Sequence, residues 1–218
     1  MSLKTPWKKY IGLVSILFLF PLIWVMLFGV FGDHHFNTLP YYAPEGQDST
    51  SYVLPPFAFT NQEGEVYTSD SLKGKVWIAA FYSLNSPYIP KITERLLNIN
   101  WKYRDEGDIA IVVFSTQSSF DTTQITRPYI DQNSRYNKFP GKWQFLTGND
   151  STIQDYIRNG FMVEDLSSEA IFRLVDEQGH IRGLYGNTEY HMRNAMEDIA
   201  LLKKEIDKRA YNQKHEKE

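Results

Sequence analysis

Charged and apolar positions are unevenly distributed along the chain. Residues 10–32 form a run of 23 residues without a charge, mostly Leu, Ile, Val, Phe, Trp and Met. As a helix rising about 1.5 Å per residue the run reaches roughly 34 Å, enough to cross a hydrocarbon core of about 30 Å with some tilt. It exceeds the roughly 7 to 15 residues of a signal-peptide core and no Ala-x-Ala-like site follows, so it reads as a transmembrane helix rather than a cleaved leader. Pro21 sits mid-span, where membrane helices tolerate it if the freed carbonyl finds a partner. Trp7, Tyr10 and Trp24 are candidate interface anchors, Trp24 being deep for that role.

Beyond the span the pattern changes several times. From Gly32 to Pro56 there is no helical period, and Pro40, Pro44, Gly46, Pro55 and Pro56 mark a polar linker. Pro56 to Tyr67 alternates apolar and polar residues around Asn61-Gln62-Glu63-Gly64 and predicts a short β-hairpin. Val76 to Tyr82 is a continuous apolar run, as expected of a strand at the centre of a sheet covered on both faces. Ile92, Leu96 and Ile99 recur at helical steps with Pro90 near the first turn. Ile109 to Ser115 is a second buried strand, and the strand, helix, strand unit implies a right-handed crossover. Asp121 to Asn137 predicts a weaker helix broken near Pro128, and Ile153 to Asn159 a shorter one stopped at a left-handed Gly160. Residues 170–176 and 181–185 form a hairpin around Glu177-Gln178-Gly179-His180. The final helix carries Met192, Met196, Ile199, Leu202 and Ile206 on one stripe and dissolves into a charged end. That stripe could hold soft copper ligands, but its regular period favours core packing.

A parallel strand, helix, strand unit followed by an antiparallel hairpin and a closing helix is the order of an α/β, thioredoxin-like three-layer sandwich, preceded here by one transmembrane helix. The divisions are a cytoplasmic N-terminus at 1–9, the span at 10–32, a linker at 33–55, the domain at 56–208 and a polar tail at 209–218.

Charge sets the orientation. The charges before the span are Lys4, Lys8 and Lys9, and every acidic residue follows it. The positive-inside tendency leaves the N-terminus in the cytoplasm and exports the rest. The exported part has 20 basic and 26 acidic residues, a net charge of −6, which argues against nucleic acid as a partner. No Gly-rich phosphate loop is present. The chain has no cysteine, which excludes disulfides, thiolate metal sites, dithiol redox chemistry and cysteine nucleophiles.

Several separated segments resemble the Sco/SenC family of membrane-anchored copper proteins, with similarity from about Asn37 to Leu202. Phe57 through Val76 is similar to the family's opening hairpin followed by Gly-Lys-Val. Lys142 to Gly148 resembles its Trp-x-Phe-Leu-Thr-Gly segment, and Leu174 to Tyr185 its final hairpin, Asp-x-x-Gly-x-Ile-Arg-Gly-x-Tyr. Leu39-Pro40-Tyr41-Tyr42 after the anchor fits as well. The resemblance implies a Sco-type thioredoxin fold and a role in maturing the copper centre of a respiratory cytochrome oxidase. It also implies copper ligands: a Cys-x-x-x-Cys loop after the first central strand and a distant His before the final hairpin. Two thiolates and an imidazole suit a copper ion that changes oxidation state, and the thiols also serve disulfide exchange.

This chain departs from the pattern at those ligands. Aligned from Pro90-Lys91, the cysteine positions fall on Asn85 and Ile89. Aligned from the strand, the first falls on Ser86. The histidine position falls on Ser168, or on Ser167 if the loop shifts by one. An Asp that often follows the second strand is Gln117 here, while Asp121 is kept.

Other candidates are weaker. His34 and His35 are adjacent, so in an extended chain their side chains diverge. His180 belongs to a tight, solvent-exposed turn, His191 opens the last helix without a ligating neighbour, and His215 lies in the tail. Ser86 and Ser168 would need a base to act as nucleophiles. Glu164, Asp165 and Glu169 read as a solvated loop, and Tyr88 as either a recognition residue or a packing one. The sequence therefore points to a non-catalytic member with no catalytic residue, no cofactor and no bound metal. It is expected in a bacterial inner membrane, single-pass, with its domain in the periplasm. Its partners would be a cytochrome c oxidase subunit or a copper-binding Sco paralogue. The alternative is a thioredoxin-fold adaptor or binding module of an unrelated envelope complex.

Overall fold

The computed structural model describes residues 17–21, 23, 24, 38–135, 137–139, 141–166 and 170–215. The chain forms two compact units, residues 1–37 and 38–218. In the first, residues 17–21, 23 and 24 are helical and exposed, and most of the expected span at 10–32 lies outside the described residues. Among the described residues no helix is long and apolar enough to cross a membrane.

The second unit opens with a hairpin, β1 (Ala58–Thr60) and β2 (Val66–Thr68), and a 3-10 turn at Ser69–Leu72. There follow β3 (Val76–Tyr82), α1 (Ile89–Lys102), β4 (Ile109–Ser115), α2 (Thr123–Ser134), β5 (Trp143–Leu146), α3 (Asp150–Phe161), β6 (Ile171–Val175), β7 (Ile181–Gly186) and α4 (Glu189–His215). The main sheet has the order β5-β4-β3-β6-β7, with β3, β4 and β5 parallel and β6 and β7 antiparallel to their neighbours.

Period two divides β3 between two cores. Val76, Ile78, Ala80 and Tyr82 face Ile92, Leu96 and Ile99 of α1 and Met192, Ala195, Ile199 and Leu202 of α4. Trp77, Ala79 and Phe81 face Ile153, Ile157 and Phe161 of α3 and Phe57 and Phe59 of the hairpin. On this second side Phe114 of β4 is ringed by Phe57, Phe59, Trp77, Phe81, Tyr156 and Phe161, with centroids 5.3 to 6.4 Å away. Such tilted and edge-on pairs add to the area they bury. The α/β three-layer sandwich is as expected, and Met192 packs in the core with Ala195, Ile199 and Leu202.

Several expectations are corrected. Pro128 lies inside α2 without breaking it. Buried Thr126 and Ile130, together with the Tyr129 hydroxyl bonded to Thr93 (2.8 Å) and Tyr82 (3.2 Å), hold the helix despite one missing backbone bond. α3 does not stop at Gly160, because buried Phe161 extends it and Met162 takes the left-handed position at φ 56°. Arg173 then caps its end, Nε donating to Phe161 O (3.0 Å) and Nη2 to Met162 O (3.2 Å). Burial pushes that guanidinium down to about 10. Helix α4 runs on to His215, so residues 209–215 are helical, and Arg209 bonds Glu177 at 3.0 Å. β5 was not anticipated as a strand.

Residues 38–55, expected to be linker, lie on the domain. Leu39 and Tyr52 are buried, Tyr42 N–H bonds Ile181 O at 3.0 Å and Leu54 N–H bonds Gly179 O at 3.0 Å. They shield the outer edge of β7, whose polar groups would otherwise be unpaired. A buried ionic group fastens this arm. Arg182 donates to Asp176 (3.2 Å), Glu205 (2.8 Å), Leu39 O (2.7 Å) and Pro40 O (3.2 Å), and lies 4.0 Å from the Tyr41 ring centroid. Glu205 also accepts Leu39 N–H at 2.6 Å.

The Arg182 side chain is fully buried, so Arg182→Met should strand Asp176 and cost about 3–5 kcal/mol. Lys73→Ala, which removes the exposed Asp70 pair, should change stability by less than about 1 kcal/mol. Urea denaturation of the two variants checks the contrast, and equal effects would contradict it.

Candidate functional site

The loop that follows β3 leaves the sheet at the C-terminal edge of the parallel pair β3 and β4, where open α/β sheets place their ligands. Its shape comes from one carboxylate. Asp121 is fully buried, and its Oδ1 accepts Ser83 Oγ (3.1 Å) and Leu84 N–H (2.9 Å) while Oδ2 accepts Ser115 Oγ (2.5 Å). Ser83 Oγ accepts Asn85 N–H at 3.2 Å, and Ser83 O accepts Ser86 N–H at 3.0 Å, closing the turn. Burial, reinforced by the nearby Asp150 charge, raises the Asp121 carboxyl above its ordinary value, against the pull of its three donors.

The expected site positions fall as follows. Asn85 is exposed, and its amide donates to Gln117 Oε1 at 3.4 Å. Two of the departures from the family pattern, Gln117 and, on one of the alignments, Asn85, thus meet as a pair of neutral amides. Ser86 is partly buried and its Oγ accepts Tyr88 N–H at 3.3 Å. Ile89 is the first residue of α1 and packs on the α1 and α4 core. Ser167, Ser168 and Glu169 lie outside the described residues, while Glu164 and Asp165 are exposed. Tyr88, at 41% exposure, shares this edge with exposed Phe120 and Ile125, which follow β4.

The histidines have other roles. His180 corrects the sequence reading. It is only 9% exposed, because residues 39–42 and Leu54 cover its turn. Its Nδ1 lies 3.2 Å from Asp176 Oδ1 and its ring meets Tyr41 edge-on at 5.3 Å. His191 Nδ1 accepts Gly186 N–H at 2.8 Å, so its neutral ring carries the proton on Nε2. His215 stacks on Tyr211 at 4.0 Å, and His34 and His35 lie outside the described residues.

An amide, a hydroxyl and a hydrocarbon side chain do not fit copper, whose preferred ligands are thiolates and imidazoles. Among the described residues no group of three or more His, Asp or Glu side chains could hold a metal ion. No bond from a His or a carboxylate reaches Ser86 among the described residues, so its hydroxyl has no base to activate it. Sequence reasoning noted Asp121 but missed its part as the loop's anchor. Its spacing of six residues from Ser115 gives no signal until the chain beyond β4 turns at Gln117, whose carbonyl accepts Phe120 and Asp121 N–H.

A central β3 flanked by parallel β4 and antiparallel β6, with helices on both faces and a loop site at the β3 terminus, defines a thioredoxin-like α/β protein. The SCO1/SenC family model matches residues 45–204, and the chain belongs to that family. It is 27% identical over 154 residues to the SCO1 protein homolog of Bacillus subtilis, covering 66% of this chain and 78% of that protein. A SCO1/SenC family lipoprotein from Bacillus anthracis has the same fold, with a TM-score of 0.58 at 24% identity, covering 69% of this chain and 95% of that one. BsSco, described as a member of the Sco family of cytochrome c oxidase assembly proteins with a disulfide switch, gives 0.56 at 25% identity, covering 71% and 95%. This chain has the family scaffold without any cysteine.

Asp121 gives a pH signature of definite sign. Its folded-state value is raised, so the folded protein holds the proton to higher pH than the unfolded chain, whose value lies near 3.8. The stability it contributes is greatest below that value and is lost as pH rises through the folded-state value. In urea denaturation from about pH 3 to about pH 7, the stability of the unsubstituted protein relative to Asp121→Asn should therefore decline. A flat difference would refute the assignment.

Proposed function

We propose that this protein is a membrane-anchored, periplasmic accessory in assembling the copper centre of a bacterial cytochrome c oxidase, acting by docking rather than by carrying copper. The observation that carries this reading is the contrast at one loop. The scaffold that shapes it, from Asp121 to Ser83, Leu84 and Ser115, is complete, whereas Asn85 or Ser86 and Ile89 supply no thiolate. A loop kept in shape without ligands can still present a surface, and Tyr88 and Phe120 make that surface aromatic. The partner is an oxidase subunit or a copper-binding Sco paralogue.

In this reading the chain is not an enzyme, and copper and thiol redox activity are lost. Residues 10–32 anchor it in the inner membrane as a single pass, with Lys4, Lys8 and Lys9 in the cytoplasm. The assembly role is supported by the similarity to BsSco, described as a member of the Sco family of cytochrome c oxidase assembly proteins.

Two measurements test the proposal. The purified full chain, titrated with Cu(I) or Cu(II) in detergent, should retain no copper against a competing chelator; stoichiometric, chelator-resistant copper would refute the loss. Affinity purification from solubilised membranes should bring down an oxidase subunit or a cysteine-containing Sco chain. Recovery of an unrelated envelope complex instead would move the protein to the adaptor reading.

A further inference from the structure

Strand β1 has a second edge, and part of it is free. Hydrogen bonds to the β2 side come from Phe57 O, which accepts Ser69 N–H at 3.1 Å, and Asn61 N–H, which donates to Glu65 O at 2.8 Å. Odd positions therefore face β2, and the main-chain groups of Ala58 and Thr60 point the other way. Those of Thr60 are used: its N–H and O exchange bonds of 2.9 and 2.8 Å with Thr147. The antiparallel register would next pair Ala58 with Asn149. That residue instead caps α3, its Oδ1 accepting Ser151 N–H (3.1 Å) and Thr152 N–H (3.3 Å). The chain turns away one step early, and Ala58 is exposed.

The vacated space is a groove of about 870 Å³ between residues 47–59 and α3. Its volume is within the range of ligand sites. Tyr52, Phe57 and Tyr156 line it, and they are fixed: the Tyr52 hydroxyl donates to Gly160 O (2.8 Å) and that of Tyr156 to Pro55 O (2.7 Å). Two carboxylates also line it, Asp48 and Asp155. Asp48 is oriented by Thr50 Oγ1 at 2.9 Å, and Asp155 has a partner in Arg158 at 3.7 Å, an exposed pair that another cation can exchange at little cost.

We infer that this groove binds an extended, basic segment of a partner protein, which adds to the β1 edge through Ala58 N–H and O and places a Lys or Arg side chain at Asp48 and Asp155. Strand addition supplies main-chain bonds common to any extended peptide, and the aromatic walls and carboxylates select among sequences. The site is separate from the loop at Asn85–Ile89, so the inference stands independently of the assembly role.

Panning a phage library of random octapeptides on the full chain in detergent micelles tests it. Selected sequences should be enriched in Lys or Arg at one position. A synthetic peptide made from them should lose about tenfold in affinity when that residue becomes Glu, and about five- to tenfold against the Asp48→Asn, Asp155→Asn double variant. N-methylation of the peptide amide that pairs with Ala58 should abolish binding without touching the protein. An empty selection, sequences without a basic residue, or affinity indifferent to both the double variant and N-methylation would overturn the inference.

Discussion

Everything in the domain depends on β3 being apolar at all seven positions, Val76 to Tyr82. A strand with no polar face cannot lie at a sheet edge or turn a side to water, so it must be paired on both edges and covered on both faces. The parallel β4 and antiparallel β6 meet the first demand. Helices α1 and α4 on one side, and α3 with the β1–β2 hairpin on the other, meet the second. Burying large side chains such as Ile78 and Phe81 stabilises the fold by roughly 1.5–3 kcal/mol each. The remaining elements are placed by what this strand needs. The loop carrying Asn85, Ser86 and Ile89 leaves from its end, which is why that loop stays at the sheet edge whatever residues it carries.

Its internal shape has a separate cause. Metal ligands could fix a loop by drawing their side chains onto one ion. Here a buried carboxylate draws three donors onto itself, from Ser83, Leu84 and Ser115. The three hydrogen bonds fix the loop in one shape and partly offset the cost of burying the carboxyl, which still holds its proton to higher pH than a free one. A loop held in this way keeps its architecture without any cysteine. This explains how a chain can match the family over residues 45–204 and still have no thiolate.

How much could be read from sequence depended on whether one element or several determined the outcome. β3 and β4 were legible to the residue because each is a continuous apolar run rich in Val, Ile or aromatic residues. β5 was missed because it has only four residues, with Gln144 among them, and its strand state depends on pairing with β4. The break at Pro128 and the stop at Gly160 followed local propensity, and in each case packing from other elements prevailed: Tyr129 against Thr93, and Phe161 among the aromatic rings. His180 and residues 38–55 were misplaced for a related reason. Polar, proline-rich segments read as solvated until the partner that buries them, here Arg182, is known. At the candidate site, positions 85, 86 and 89 rest on the family resemblance alone, whereas the bond network of Asp121 required the fold.

The arm and the loop are held at opposite ends of β3. Tyr42 pairs with Ile181, which lies opposite Val175, and Val175 in turn pairs with Trp77 near the start of β3. The loop leaves from Tyr82, so about five strand residues, or roughly 17 Å, separate the two fastenings. Asp176, Arg182 and Glu205 form one group and Asp121, Ser83 and Ser115 the other, with no residue in common. Charge groups so far apart with no shared partner are energetically independent. The end of the domain that receives the preceding chain can therefore be rigid without constraining the loop. The loop could change its residues freely as long as the carboxylate at 121 and the hydroxyls at 83 and 115 were kept.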